Sequence, residues 1–236
     1  MWYDYLFPKA VKCMICGVEC NSVAICTECY SKLPFIHNHC SRCGGEVYGE
    51  LDLCDDCVGN PHLYDECYCV LEYRGVVREK ILNLKNNHAS HLAKPFADIL
   101  LAVYEERDYH PDIIIPMPIH ENRLKQRGYN QSELLCDSMA EATGLVDTNI
   151  LVRVIDTPHQ TGLNRENRKK NIHSAFKVMD KEKVKGKIIL LVDDIYTTGS
   201  TIDECVRMLK KAGAAQVSVL CLSRTPIIKT GLEEEF

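Results

Sequence analysis

Two carboxylates stand side by side in the segment VDDIYTTGST (Val192–Thr201), followed by hydroxyl side chains around one glycine. Asp193 and Asp194 can accept hydrogen bonds from a vicinal diol such as that of ribose. Thr197, Thr198, Gly199, Ser200 and Thr201 lead into an expected helix, whose unpaired N–H groups and positive dipole end form a phosphate seat. A phosphate beside two carboxylates is repelled unless the acids grip something else. The pattern therefore implies a ribose 5-phosphate group, with the acids on the diol and the loop on the phosphate. The lysine of G-x-x-x-x-G-K-[ST] is missing, which excludes a Walker A loop. LLVDD also opens receiver domains, but too little chain follows it here. If the acids merely ended a strand and capped a turn, TTGST would have no explanation.

A second set of residues is equipped for metal. Eleven of the 14 cysteines lie between Cys13 and Cys69, leaving only Cys136, Cys205 and Cys221 for the rest. Four C-x-x-C pairs recur: Cys13 with Cys16, Cys26 with Cys29, Cys40 with Cys43, and Cys54 with Cys57. Each pair places two thiolates on a tight turn at two corners of a tetrahedral zinc site, and a second pair completes it. Assigning Cys13, Cys16, Cys26 and Cys29 to one structural zinc and Cys40, Cys43, Cys54 and Cys57 to another follows the chain order; pairing first with third stays open. Glycines after Cys16 and Cys43 stand where such turns take a positive φ. Four thiolates leave no open position for catalysis, so the metal supplies folding energy to a segment too short for a large apolar core. Cys20, Cys67 and Cys69 read as spare or packing residues. His37, His39 and His62 read as neighbours of the cysteines, while His120 and His159 are candidates for proton transfer without a visible partner.

The elements that must position these residues form a parallel α/β body, residues 63–236, behind a cysteine-rich double ribbon, residues 1–62. CYCVLEY, DIIIP, KIILLV and QVSVLCLSR read as strands. Between them, GVVREKILNLKNNH, LAKPFADILLAVYEER, QSELLCDSMAEATG and TIDECVRMLKKAGA carry helical periodicity. Such alternation gives a parallel sheet flanked by helices, with right-handed crossovers. Ligands of these sheets bind beyond the carboxyl ends of the strands, where Asp193 and Asp194 stand.

LLVDDIYTTGST resembles the PRPP-binding motif of type I phosphoribosyltransferases. With PMPIHENRLKQRGYNQSELL (Pro116–Leu135), TPHQTGLNRENRKKNIHSAF (Thr157–Phe176) and the cysteine head, the chain is similar to the ComF family of competence-associated proteins. The resemblance implies a type I phosphoribosyltransferase core with an N-terminal double zinc ribbon. It places PRPP, with Mg²⁺, on Asp193, Asp194 and the Thr197–Thr201 loop. The pyrophosphate loop falls at PMPIH, where Arg123 and Arg127 can meet the pyrophosphate charge, Gly128 allows close backbone approach, and Asn130 and Gln131 add neutral donors. Arg165, Arg168, Lys169 and Lys170 fall in the family's flexible loop. The resemblance further implies a cytoplasmic protein of natural transformation, associated with DNA passage at the inner membrane, single-stranded DNA and a helicase-like partner.

Composition sets limits on this. The 46% hydrophobic and 26% charged residues are those of a globular protein, and no apolar run is long enough to span a bilayer. No basic-then-apolar leader opens the chain. With a net charge of −5, contact with nucleic acid must rest on a local basic segment, here the flexible loop with Lys177–Lys187. Three functions stay open: a phosphoribosyltransferase with an unknown nitrogen acceptor, a competence factor binding PRPP or DNA without turnover, and a nucleotide-salvage enzyme.

Overall fold

The computed structural model describes residues 11–20, 24–49, 52–86, 89–156 and 174–226. Two short strands, β1 (Val11–Lys12) and β2 (Glu19–Cys20), pair antiparallel, and a one-turn helix α1 (Thr27–Ser31) follows. The body then runs β3 (Glu66–Glu72), α2 (Gly75–Asn86), α3 (Ala93–Glu106), β4 (Ile113–Pro116), α4 (Glu121–Arg127) and α5 (Gln131–Thr143). It continues with β5 (Leu151–Arg153), β6 (Phe176–Val178), α6 (Lys181–Val184), β7 (Ile188–Tyr196), α7 (Ser200–Lys211) and β8 (Gln216–Arg224).

Four strands form one parallel sheet in the order β3-β8-β7-β4. Its two central strands are almost wholly buried, because helices or ribbon cover both faces, and this is why their sequences are continuous apolar runs. α2 buries Val77, Ile81 and Leu84, and α7 buries Ile202, Cys205, Val206 and Leu209, each at helical spacing. One apolar cluster joins α7, the β5–β6 pair and the second cysteine segment on one face. The other joins α2, α3, α5 and Ile25 and Leu33 of the first segment. The outer edge of β3 is also covered: Ile36 N–H donates to Val70 O at 3.0 Å, and Glu72 N–H to Pro34 O at 2.8 Å. The chain between the two cysteine segments thus closes an edge that would otherwise be open to pairing.

Candidate functional site

β7 extends through both acids to Tyr196 instead of ending at Val192, because β8 keeps pairing with it: Asp193 lies opposite Cys221 and Tyr196 opposite Arg224. Asp193 and Asp194 are 8% and 3% exposed. The Asp193 carboxylate accepts from Asp194 N–H at 2.9 Å and from the Ser132 hydroxyl at 3.2 Å. Burial, reinforced by the neighbouring Asp194 charge, pushes Asp193 up to about 7. Lys85, from the last turn of α2, brings Nζ to 2.8 Å from Asp194 Oδ2. Asp194 Oδ2 is otherwise buried, and this ammonium is the partner that answers its charge.

These groups open on a polar cleft of about 160 Å³ at the carboxyl ends of β4 and β7. Its lining includes Lys85, Arg123, Gln131, Arg153, both acids, Thr197, Gly199 and Thr201. α7 starts at its edge with Gly199 as N-cap at φ 73°, and no side chain caps the helix. Donors suited to a phosphate thus face the cleft. Arg123 rises from α4, whose start is fixed by His120 Nδ1 accepting from Asn122 N–H at 3.2 Å. Arg153 comes from β5 with its guanidinium 5.4 Å from the Phe176 ring centre; burial and the Arg123 charge lower its pKa. Of the described residues named from sequence for this site, His120, Arg127, Gly128, Asn130, Thr198 and Ser200 lie outside the cleft lining. Arg127 donates to Gln131, which lines it, and the Thr198 and Ser200 hydroxyls are 3.1 Å apart. Arg165, Arg168, Lys169, Lys170 and His159 lie outside the described residues.

The cysteines group as the chain order suggests, not first with third. The sulfurs of Cys13, Cys16, Cys26 and Cys29 lie within 4.8 Å of one another, as do those of Cys40, Cys43, Cys54 and Cys57. Cys16 and Cys26 are 3.8 Å apart and Cys43 and Cys54 3.5 Å, close to the edge of about 3.8 Å for a tetrahedron of 2.3 Å zinc–sulfur bonds. Backbone N–H groups point at sulfur in both, from Cys26 to Cys13 and from Cys54 to Cys40, each at 3.4 Å. Both sets fit structural zinc. In the second set the Arg224 guanidinium lies 3.2 Å from Cys43 Sγ and 3.9 Å from Cys54 Sγ, 5.0 Å above the Tyr196 ring. Burial would lower its pKa, but the charge of Cys43 and then of Cys69 outweighs this and holds it above the ordinary arginine value.

A family model described as a phosphoribosyl transferase domain matches residues 139–229, and one described as a double zinc ribbon domain matches residues 2–69. The DNA utilization protein YhgH of Salmonella typhimurium is 31% identical over 207 residues, covering 85% of this chain and 90% of that protein. Competence protein F of Haemophilus influenzae is 29% identical over the same shares. The chain belongs to the ComF family. Among solved structures, a glutamine PRPP amidotransferase from Bacillus subtilis is similar at TM-score 0.38 and 22% identity over 57% of this chain. The match spans 26% of that enzyme's length.

Several features of this ComF protein lie beyond what its sequence disclosed. Lys85 and Arg153 reach the cleft from a helix and a strand distant in sequence, and nothing local marks either. Gly128 ends α4 at φ 86° with open space where a Cβ would stand, so its positive φ shapes the helix end. Cys67, Cys69 and Cys221 form a buried trio on β3 and β8. They sit beside the turn at Gly44, where an added Cβ would stand 2.6 Å from Cys69 N. His39 reaches Cys69 O at 3.1 Å and stacks on Tyr68. The stretch Lys177–Lys187 leads to the amino end of β7, about 17 Å of strand from Asp193 in the cleft. Two of its lysines are paired, Lys183 with Asp147 and Lys187 with Asp112. Among the described residues no helix is long and apolar enough to cross a membrane.

Proposed function

We propose that this ComF protein binds PRPP with Mg²⁺ in the cleft and serves the uptake or use of DNA. The observation that carries the reading is the pair of buried carboxylates lining the cleft, set beside the uncapped start of α7. Ribose hydroxyls donate to Asp193 and Asp194, and the Thr197–Thr201 loop takes the 5′-phosphate. Arg123, Arg153 and Lys85 supply positive charge for the pyrophosphate, and Mg²⁺ on the pyrophosphate supplies the rest of its neutralisation. The names of the relatives, competence and DNA utilization, support the cellular role. On the family resemblance the protein is cytoplasmic, peripheral at the inner membrane, and works with single-stranded DNA and a helicase-like partner. The ribbon spans residues 1–62 and the transferase-like body 63–236.

A second reading, an active phosphoribosyltransferase, is favoured by that same rim of cations. A nitrogen nucleophile would attack the anomeric carbon as the bond to pyrophosphate breaks, and the cations would stabilise the departing charge.

Calorimetric titration of zinc-loaded protein with PRPP and Mg²⁺ tests the first reading. Wild type is expected to bind and the Asp193→Asn/Asp194→Asn double variant to lose at least tenfold in affinity, about 1.4 kcal/mol. Absence of wild-type binding would overturn it. Release of pyrophosphate on adding nucleobases or amines separates the second reading from binding alone. For DNA, neutralising Arg165, Arg168, Lys169 and Lys170 is expected to weaken single-strand binding and flatten its salt dependence; an unchanged affinity removes the loop from that role.

A further inference from the structure

The phosphate loop joins the end of β7 to the start of α7, and residues from the ribbon-to-core connection hold it at both ends. On the far side, Asp203 stands in the first turn of α7. His62 Nδ1 is 2.9 Å from Asp203 Oδ2, and Leu63 N–H donates to Asp203 Oδ1 at 2.9 Å. On the near side, Tyr196 closes β7, with its hydroxyl 3.2 Å from His62 Nε2 and 2.9 Å from the Tyr64 hydroxyl. A carboxylate only accepts, so Nδ1 carries the proton toward Asp203, and in the neutral ring Nε2 accepts from Tyr196. The His62 ring also stacks on Tyr64 at 5.0 Å and meets Tyr196 edge-on.

The turn of the loop is moulded on this group. Gly199 has φ +73°, and a Cβ there would stand 2.9 Å from His62 Cε1 and collide with the Tyr196 hydroxyl. Charge gives a second reason for the arrangement. Asp203 is an anion one turn from a phosphate seat, where it opposes the ligand. Its two oxygens are turned onto His62 and the Leu63 N–H, which answer part of that charge, and the His62 side chain is only 2% exposed.

We propose that His62 is a positioning residue for the 5′-phosphate, so that the connection between ribbon and core forms part of the ribose-phosphate site. The inference rests on the PRPP reading above. It assigns His62 to the half of the site that holds the 5′-phosphate and not to the half that holds pyrophosphate. The two halves are therefore separable by ligand.

The test titrates full-length, zinc-loaded protein with PRPP and Mg²⁺, with ribose 5-phosphate, and with pyrophosphate and Mg²⁺. His62→Ala is expected to weaken PRPP and ribose 5-phosphate by about tenfold or more, since a small displacement of an oriented site costs that much. Pyrophosphate binding is expected to stay within about twofold of wild type, because its cations lie on other elements. His62→Asn, which keeps a donor for Asp203, is expected to restore part of the loss. If wild type binds PRPP and His62→Ala leaves it unchanged, the inference falls alone. If pyrophosphate weakens equally, His62 is a general structural residue and the inference also falls. If wild type binds none of the three, the PRPP reading falls and takes the inference with it. Should His62→Ala not fold, the imidazole nitrogen resonances of His62 in wild type carry the test. They are expected to shift with ribose 5-phosphate and not with pyrophosphate, and no shift with ribose 5-phosphate overturns the proposal.

Discussion

In the first ribbon Cys16 is exposed and Cys26 and Cys29 are half-buried, whereas all four cysteines of the second are buried. The first reaches the core through Ile25 and Leu33, and its seam with α3 leaves an apolar groove of about 320 Å³ between Ala24, Thr27 and Tyr30 on one side and Pro95, Ile99 and Ala102 on the other. The second shares one continuous apolar cluster with the sheet, its turn lies flush on β3, and Arg224 of β8 reaches into its thiolates. Two metal sites of one design thus do different physical work. The first organises a peripheral knot, while the second closes one face of the transferase-like core and borders the chain that carries His62.

The sharpest way to break this comparison is to remove a ligand from each. Cys43→Ser is expected to cost the second zinc and the cooperative unfolding transition of the whole chain, since structural zinc supplies about 10–16 kcal/mol of apparent binding energy. Cys16→Ser is expected to leave one equivalent of zinc and a core transition of nearly wild-type enthalpy. Calorimetric unfolding with zinc analysis reads both, and equal losses would make the two ribbons equivalent. Next in size is Arg224→Met, which removes a buried cation from beside the second set only. A loss of about 3–5 kcal/mol is expected in denaturant unfolding, with zinc affinity at that site down about 10–100-fold and the first site unaltered. A matched glycine pair follows. Gly44→Ala puts a Cβ 2.6 Å from Cys69 N and 2.7 Å from Cys67 O, whereas Gly17→Ala meets nothing within 4 Å. Both take positive φ, so Gly17→Ala is expected to cost about 1 kcal/mol and Gly44→Ala about 3 kcal/mol.

The smallest effect concerns pH. Asp193 lies on the core side, with a folded value of about 7 against an ordinary 3.8, so the folded state holds its proton longer. Its contribution is complete below about pH 4 and is lost as pH rises through 7. Relative to Asp193→Asn, wild-type stability is expected to fall by up to about 1.4 kcal/mol per unit between pH 5.5 and 7 and to level off above 8. The zinc sites are common to both proteins and cancel. A flat difference would place Asp193 with ordinary carboxylates.

What the sequence disclosed and what it withheld divide along range of interaction. The four C-x-x-C pairs, the apolar runs of β7 and β8 and the DD–TTGST junction are local patterns, and each folds as its spacing implies. The withheld parts are products of tertiary contact. β7 outlasts its apolar run because β8 continues beside it, and the three-residue strands β5 and β6 form by pairing with each other. Lys85, Arg153, His62 and Arg224 gain their significance from groups brought close by the fold. His62 is 141 positions from Asp203, and Arg224 is 181 from Cys43. No periodicity or spacing in a single chain marks such pairs.

The guanidinium of Arg224 also bears on how the protein fails under chemical attack. In a thiolate already deprotonated on zinc, a hydrogen-bonded cation draws charge from sulfur and makes it a poorer nucleophile toward peroxides and alkylating agents. Cys43 and Cys54 have this protection together with burial, whereas Cys16 faces solvent. Oxidative damage then has an order: the outer knot is modified first, while the thiolates that close the core stay intact.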